Sequence, residues 1–290
     1  MLNSLRHRLL RPLLIKPPFS ELTRKISSNF LNLNFEEKFE KPHLNENEIV
    51  FVKNLNKDGY IKSDINKFGI KDIFNNISEA YYDLGFPKSG NIKEIKNEKV
   101  LNFLKSEIAN KNIKNYKIKI TDFVDKSILN LDAISESFAK IAMSYLNVPV
   151  KRSYSEVLFD HNILNFESAK ETQLYHRDYN GILFLKIFIY LSDVDLSNGP
   201  YCYVSESHNK EFMKKFKIKK NIIRKNVRHD NKEVENLLGN HEIKFIGKAG
   251  DVIISDTTGL HRGITPNKDK FRMLLSIMLE PKNNFLSFTD

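Results

Sequence analysis

Three residues of the 290-residue chain have side chains that often bind metal ions, and their spacing would bring them together. His176 and Asp178 lie in the segment Tyr-His-Arg-Asp-Tyr, and His261 lies in Gly-Leu-His-Arg-Gly. In a strand, residues i and i+2 project from the same face, so His176 and Asp178 would reach one point together. A histidine from a distant strand would complete two nitrogen ligands and one carboxylate ligand, with the opposite coordination positions left open.

Two nitrogens and one carboxylate on one side of a metal are the ligand set of non-haem Fe(II) oxygenases. A His-x-Asp pair alone is a weak signal, because nearby His and Asp residues are more often ordinary surface polar groups. The pair by itself therefore leaves both a metal site and a simple polar surface open.

Arg272 follows His261 by eleven positions and lies inside the apolar run Phe271–Leu279. Alternation places Arg272 and Ser276 on the same face of a strand. An arginine that faces the interior needs an anionic partner, and a guanidinium binds a carboxylate in bidentate geometry. A dicarboxylate cosubstrate would supply that charge. The alternative is an edge strand with Arg272 in water.

Several short motifs follow one another along the chain: Tyr-His-Arg-Asp, Asn-Gly-Pro, Ser-Glu-Ser-His at 205–208, His-Arg-Gly-Ile-Thr-Pro-Asn, and Phe-Arg-Met. Before them, Lys57-Asp58-Gly59-Tyr60 looks like a helix that leads into "DGY". In order and spacing these motifs resemble the phytanoyl-CoA dioxygenase family, over about residues 45–279. The resemblance implies an Fe(II)- and 2-oxoglutarate-dependent oxygenase on a double-stranded β-helix.

The resemblance also implies roles for single residues. The implied iron ligands are His176, Asp178 and His261. Arg272 would hold the distal carboxylate of 2-oxoglutarate, and Ser276 would share that cofactor-binding face. Gln173 lies where the family often has a glutamine near the cosubstrate or substrate. The Asn198-Gly199-Pro200 turn and His208 look structural, and the presence of Asp178 separates the chain from the halogenating relatives, which lack this carboxylate.

The implied reaction is hydroxylation of a small molecule with release of succinate and CO2. It would use Fe(II), 2-oxoglutarate and O2, with ascorbate added in vitro. Two other classes stay open. A metal-dependent isomerase or hydrolase on a cupin-like barrel would not need Arg272. A non-catalytic metal-binding barrel is the second, although the intact set of ligands and arginine counts against it.

Elements that could position these residues are visible in the pattern of the chain. Asn45 and Glu48 form a capping-box pair, Gly59 suits the end of that helix, and a second helix is predicted over about 132–147. Short β-like runs then follow, separated by turn signals: Ser155–Phe159, Ile182–Leu191, Tyr201–Val204, Glu242–Ile246, Asp251–Ser255 and Phe271–Leu279. This order predicts helices packed outside an antiparallel barrel or double sheet. Together with the resemblance, it implies a mainly-β, α+β fold: a jelly-roll or cupin-like double-stranded β-helix with N-terminal helices packed outside.

The net charge of +10 is concentrated in two segments. Residues 1–30 contain six Lys or Arg residues against one acid, and residues 210–232 contain ten against two. The remainder is slightly negative, which argues against a continuous basic face and a nucleic-acid partner. We divide the chain into a basic arm (1–44) and a dioxygenase domain (45–290) with a lysine-rich insertion (210–232).

The insertion would lie at the rim of the active-site mouth, where a basic segment captures anions. This predicts an acidic substrate, such as a carboxylate, a phosphorylated metabolite, or a group carried on CoA or an acidic carrier protein. A solvated lysine-rich helix, with Phe212, Phe216 and Ile223 packed inward, is the equal alternative.

The basic arm has three interpretations: a poorly ordered or docked terminus, a segment that contacts an anionic membrane surface, or a transit peptide. It lacks the apolar core of a signal peptide, and no run in the chain approaches the roughly 20 apolar residues of a transmembrane helix. Cys202 is the only cysteine, which excludes an internal disulfide and a cysteine zinc cluster. We expect a cytoplasmic protein.

Overall fold

The computed structural model describes residues 39–110, 117–162, 169, 171–178, 183–209, 211–212 and 228–282. The basic arm therefore falls almost wholly outside the described residues, and so does most of the lysine-rich insertion. None of the described helices combines the length and apolarity that would be needed to cross a bilayer.

In the described part of the chain, five helices precede most of the strands: α1 (Glu46–Asp58), α2 (Lys71–Asp83), α3 (Glu98–Asn110), α4 (Lys126–Leu129) and α5 (Leu131–Leu146). A sixth, α6 (Asn231–Leu238), comes later in the chain. The predicted capping box is confirmed, because the Asn45 side chain accepts from the Glu48 N–H at 3.0 Å and the Glu48 carboxylate accepts from the Asn45 N–H at 2.8 Å. Helix α2 escaped prediction because its N-cap, Ile70, makes no side-chain capping bond.

Eleven strands are described: β1 (Tyr60–Asp64), β2 (Lys117–Lys119), β3 (Val150–His161), β4 (Tyr175–His176), β5 (Leu185–Tyr190), β6 (Tyr201–Val204), β7 (Arg228–His229), β8 (Glu242–Phe245), β9 (Asp251–Ser255), β10 (His261–Gly263) and β11 (Phe271–Pro281). Strand β3 is longer than the predicted run Ser155–Phe159, and β5 is shorter than the predicted run Ile182–Leu191. The other four predicted runs match β6, β8, β9 and β11 to within two residues.

The strands form two sheets in which every pairing is antiparallel. The large sheet has the order β1-β9-β5-β11-β3-β2, and the small sheet has the order β7-β4-β10-β6-β8. The fold thus combines helices with antiparallel sheets, as the sequence predicted.

Alternation divides each strand of the large sheet between two environments. One face packs on the helices, through residues such as Phe138 of α5 and Leu275 of β11. The other face meets the small sheet in a second cluster made of Leu158, Tyr190, Val194, Tyr201, Tyr203, Phe245, Ile253 and Leu274. Beyond the small sheet, Val234 and Leu238 of α6 pack against its outer face. The space between the sheets is where polar residues of both sheets meet.

Candidate metal centre

The structure brings His176, Asp178 and His261 together between the two sheets. His176 of β4 and His261 of β10 are direct antiparallel partners, and Asp178 follows β4 by two residues. One potential ligand atom from each residue lies within 4.8 Å of the other two. His261 Nε2 is 3.4 Å from one Asp178 oxygen, and His176 Nε2 is 3.8 Å from the other. The three side chains thus form one cluster with the chemistry of a metal site.

Backbone carbonyls orient both imidazole rings. His176 Nδ1 lies 2.8 Å from the Leu174 oxygen, and His261 Nδ1 lies 3.0 Å from the Gly259 oxygen. A carbonyl only accepts, so in each of these contacts Nδ1 is the donor and carries a proton. The Nε2 lone pairs are then left for a metal ion. Metal-binding histidines usually have such a hydrogen bond from the ring nitrogen that does not contact the metal.

The charges of the cluster suit a cation. Burial lowers the pKa of His176 to about 3, with a further contribution from His261, so this ring is neutral. Burial disfavours the charged form of Asp178, but Lys186 first, then His261 and His176, hold the pKa of Asp178 well below its usual value. Neutral imidazoles and an ionised carboxylate are the forms that bind metals.

Ser207 ties together the two segments that carry the cluster. Its hydroxyl accepts from the Leu260 N–H at 2.7 Å, and its carbonyl accepts from the Arg177 guanidinium at 2.9 Å. In addition, the Asp178 N–H donates to the Thr257 oxygen at 2.8 Å. The Ser-Glu-Ser-His corner therefore sets the spacing between the two ligand-bearing segments.

The same corner is fixed to helix α1. The Glu206 N–H donates to the Asp58 oxygen at 2.9 Å, and the His208 ring lies 3.2 Å from a carbonyl of α1. Gly59 ends that helix at a φ of 84°, and a Cβ there would lie 2.3 Å from the Tyr203 hydroxyl. The glycine of the "DGY" motif is thus required both by its left-handed backbone and by close packing.

Arg272 faces the interior between the sheets, and its counter-charge comes from the protein. It lies opposite Asp160 in the register of β11 and β3, donates one bond to that carboxylate, and donates another to the Gly199 oxygen. Its Nε has no hydrogen-bond partner among the described residues. Because β11 lies between β5 and β3, the edge-strand alternative is wrong.

The Asn-Gly-Pro turn supports this arginine. The Asn198 amide donates to the Gly90 oxygen at 3.1 Å and to the Phe271 oxygen at 3.0 Å. Gly199 has a φ of 72°, and a Cβ there would lie 2.2 Å from the Ile264 oxygen. The turn therefore holds the start of β11 and supplies the carbonyl that Arg272 contacts.

Gln173 and Ser276 are both buried. Gln173 lies in the short 3-10 turn before β4, and its carbonyl accepts from the Asn231 amide of α6 at 3.1 Å. Ser276 shares the interior face with Arg272, but four strand positions separate them by roughly 13 Å.

Two charged residues that contact the predicted site residues escaped prediction. Lys186 of β5 donates to an oxygen of Asp178 at 2.6 Å, and Asp160 of β3 binds Arg272. A signal for Lys186 exists in the sequence, because a lysine interrupts an otherwise apolar run and alternation turns it away from Leu185 and Ile187, which face the helices. Asp160 directly follows the predicted run Ser155–Phe159, and the ends of strands are the least reliable part of a sequence prediction.

No protein-family model matches the chain, and no curated protein matches it. Among solved structures, EctD from S. alaskensis with 2-oxoglutarate and 5-hydroxyectoine is similar at 15% identity, over 89% of this chain and 83% of that chain, with a TM-score of 0.55. EctD with bound Fe has a TM-score of 0.53 at 15% identity, over 87% of this chain and 82% of that chain. The non-heme α-ketoglutarate-dependent epimerase SnoN from nogalamycin biosynthesis has a TM-score of 0.51 at 14% identity, over 81% of this chain and 83% of that chain. The chain therefore has the fold on which EctD and SnoN are built.

Proposed function

We propose that the protein is an Fe(II)- and 2-oxoglutarate-dependent dioxygenase that hydroxylates a small molecule. The observation that carries the proposal is the meeting of His176, Asp178 and His261 between the two sheets. The proteins with the same fold support it, since SnoN is described as α-ketoglutarate dependent and EctD binds Fe and 2-oxoglutarate.

The residues of the cluster fit the metal. Two Nε2 atoms and one carboxylate converge, and both Nδ1 atoms are already committed to carbonyls. This donor set leaves open positions for a bidentate cosubstrate and O2. Bound there, Fe(II) supplies oxidative chemistry, in which O2 and the decarboxylation of 2-oxoglutarate to succinate and CO2 are coupled to hydroxylation.

The chain's own residues hold the cosubstrate and keep water out. We assign the distal carboxylate of 2-oxoglutarate to Arg272, whose Nε has no partner among the described residues. The buried Ser276 and Gln173 are assigned to other parts of the cosubstrate site. Aromatic side chains of the interior cluster, including Tyr201, whose ring centroid is 5.8 Å from that of His261, restrict water at the centre.

We infer that the two sheets form a double-stranded β-helix, the jelly-roll or cupin-like barrel of the sequence prediction. Strands β3, β5, β9 and β11 lie in the large sheet, and β4, β6, β8 and β10 lie in the small sheet. Most connections after β3 thus cross from one sheet to the other, which is the pattern expected of such a barrel. We assign residues 45–290 to this domain and keep residues 1–44 as a basic arm.

We infer further that the substrate is anionic or carrier-linked. The support is the excess of Lys and Arg in residues 210–232, which follow the Ser-Glu-Ser-His corner and precede β8. At the described end of this segment, Arg228 lies opposite His176 in the pairing of β7 with β4. Positive charge beside the ligand-bearing strands would attract an anionic substrate.

A second candidate is a metal-dependent isomerase or hydrolase, and one observation favours it. Asp160 already neutralises Arg272, so this arginine does not require a dicarboxylate for charge balance. Such an enzyme would use the metal cluster without consuming O2 or 2-oxoglutarate.

Succinate formation separates the two candidates. The purified protein is incubated with Fe(II), ascorbate and 2-oxoglutarate, without a further substrate, in air and under argon. A dioxygenase forms succinate slowly in air only, and the Asp178→Ala variant forms none. Absence of succinate in air, with Fe(II) bound, would favour the second candidate.

A further inference from the structure

Lys186 is a charged residue of the interior to which the proposed function assigns no role. It lies on β5, its side chain is 12% exposed, and its Nζ is 2.6 Å from Asp178 Oδ2. The same oxygen is 3.4 Å from His261 Nε2. The ammonium group therefore lies beside the ligand atoms that a metal ion would contact.

The lysine is charged in this position. Its Nζ donates to the Asp178 carboxylate at 2.6 Å, so the two groups form a buried ion pair. Burying an ion pair carries a large desolvation cost, and a methionine or leucine would fill the same volume without it. Stability alone is therefore a weak reason for Lys186 to be there.

Two ion pairs balance the charge of this part of the interior: Lys186 with Asp178, and Arg272 with Asp160. A divalent metal ion and the Lys186 ammonium would compete for Asp178 Oδ2, since both are cations within reach of that oxygen. Metal binding would therefore take from Lys186 the counter-charge that it has in the metal-free protein, and a buried cation without a partner is strongly unfavourable. A 2-oxo acid with two carboxylates would restore neutrality.

The position of Lys186 selects one end of such a ligand. Its register partner on β11 is Met278, and six strand positions separate Met278 from Arg272, roughly 20 Å along the strand. The two cations therefore cannot hold the same carboxylate group. Lys186 is the one beside the metal ligands, where the chelating carboxylate of a 2-oxo acid would lie.

We propose that Lys186 pairs with Asp178 in the metal-free protein and binds the metal-chelating carboxylate of the cosubstrate once a metal ion has taken Asp178. This inference rests on the proposed function and deepens it. It assigns the two ends of 2-oxoglutarate to two different cations, with Arg272 at the distal end. Displacement of Lys186 by the metal would also give a physical reason for the 2-oxo acid to bind after the metal ion.

Calorimetric titration with Mn(II), 2-oxoglutarate and oxalate tests the proposal without turnover. Oxalate keeps a chelating carboxylate and lacks the distal arm. Lys186→Met should bind Mn(II) more tightly than the wild type, because a competing cation is gone. On the Mn(II)-loaded variant, both 2-oxoglutarate and oxalate should bind about ten- to hundredfold more weakly, the effect of losing one charge-assisted contact. Lys186→Arg, which keeps the charge, should retain oxalate binding.

Lys248→Met is the matched control, because Lys248 pairs with Asp193 on the exposed surface and its loss should leave all three titrations unchanged. Unchanged binding of both anions to Lys186→Met would overturn the proposal. Weaker binding of 2-oxoglutarate alone would also overturn it, because Lys186 would then hold the distal end.

The wild type provides a test that does not depend on the folding of a variant. The metal-free protein should bind 2-oxoglutarate at least tenfold more weakly than the Mn(II)-loaded protein, and equal affinities would contradict the proposed order. A wild type that binds Mn(II) but never binds 2-oxoglutarate would instead overturn the proposed function, so the two failures are distinct.

Discussion

His261 lies directly opposite His176 in the pairing of β10 with β4, and their ring centroids are 4.2 Å apart. The two strands have only three and two residues, yet their register decides whether both rings face the interior. A slip of one residue would turn a ring to the other face of the small sheet. The candidate metal centre therefore depends on the contacts that fix this register.

Gly259 is one of those contacts, and replacing it with alanine should damage both stability and metal binding. A Cβ there would lie 2.0 Å from the Tyr203 hydroxyl, and the Gly259 carbonyl accepts from His261. We expect Gly259→Ala to lower the free energy of unfolding by about 1–3 kcal/mol and to weaken the binding of Mn(II). Gly239→Ala is the control, because its added Cβ would meet no atom of the described residues within 4 Å and its backbone is helical. Equal behaviour of the two variants in denaturant unfolding would contradict this account.

Arg272→Ala should affect stability and cosubstrate binding together. It leaves the Asp160 carboxylate buried without its partner, at a cost of about 3–5 kcal/mol in unfolding free energy. It should also lower the affinity for 2-oxoglutarate about ten- to hundredfold, while the affinity for Mn(II) stays nearly constant. The double variant Asp160→Asn/Arg272→Gln should be more stable than Arg272→Ala, since no unpaired charge remains.

The exposed pair of Lys93 with Asp269 is the control for the buried one. Lys93→Ala should change the unfolding free energy by no more than about 1 kcal/mol. If Arg272→Ala lowers the free energy of unfolding no more than Lys93→Ala does, Asp160 has found another partner. An unchanged affinity for 2-oxoglutarate would show that another residue holds the distal carboxylate.

The buried His161 should make stability depend on pH. Burial lowers its pKa from 6.5 to about 4, although Asp160 opposes the shift. Between these two values the unfolded chain binds more protons than the folded one, so the free energy of unfolding falls as the pH falls from 6.5 towards 4. The full loss is about 3 kcal/mol. Urea unfolding of the metal-free protein at about pH 7 and about pH 5 should show a smaller difference for His161→Gln.

His43 provides the comparison for that experiment, because its side chain is exposed. His43→Gln should keep the pH dependence of the wild type. If His161→Gln keeps it as well, protonation of other groups, such as His176, accounts for the effect.

The lysine-rich segment should matter for the substrate and not for the chemistry at the metal. Lys214, Lys215, Lys219 and Lys220 are changed together to glutamine, and 2-oxoglutarate turnover is measured with carboxylates, CoA thioesters and neutral compounds. We expect the stimulating compounds to be anionic, with a lower kcat/KM and a flatter salt dependence in the variant. Turnover without substrate should not change. If neither kcat/KM nor its salt dependence moves, these lysines are only a solvated surface.

Much of the fold was predictable because it depends on local patterns. The capping box at Asn45 and Glu48, the helix α5 and the inward face of β11 all follow from residue spacing within one element. The candidate metal ligands were proposed from spacing as well: His176 and Asp178 as a pair two positions apart, and His261 as a histidine from a distant strand.

The rest of the site depends on register between strands that are far apart in the chain. Arg272 meets Asp160 only because β11 pairs with β3, and Lys186 reaches Asp178 only because the small sheet faces β5. Strands β4 and β10 were not predicted, because two or three residues are too few for an alternating pattern. Pairings of this kind are set by the whole fold.

The most direct measurement of the central claim is the visible charge-transfer absorption of the protein with Fe(II) and 2-oxoglutarate under anaerobic conditions. A 2-oxo acid that chelates Fe(II) through its carboxylate and keto oxygens produces such a band, and succinate does not. We predict a band that saturates at one Fe(II) per chain in the wild type and is lost in Asp178→Ala and in His261→Ala. A protein that binds Fe(II) but shows no band with 2-oxoglutarate, or a band that survives in Asp178→Ala, would contradict the assignment of His176, Asp178 and His261 as the centre of a 2-oxoglutarate-dependent dioxygenase.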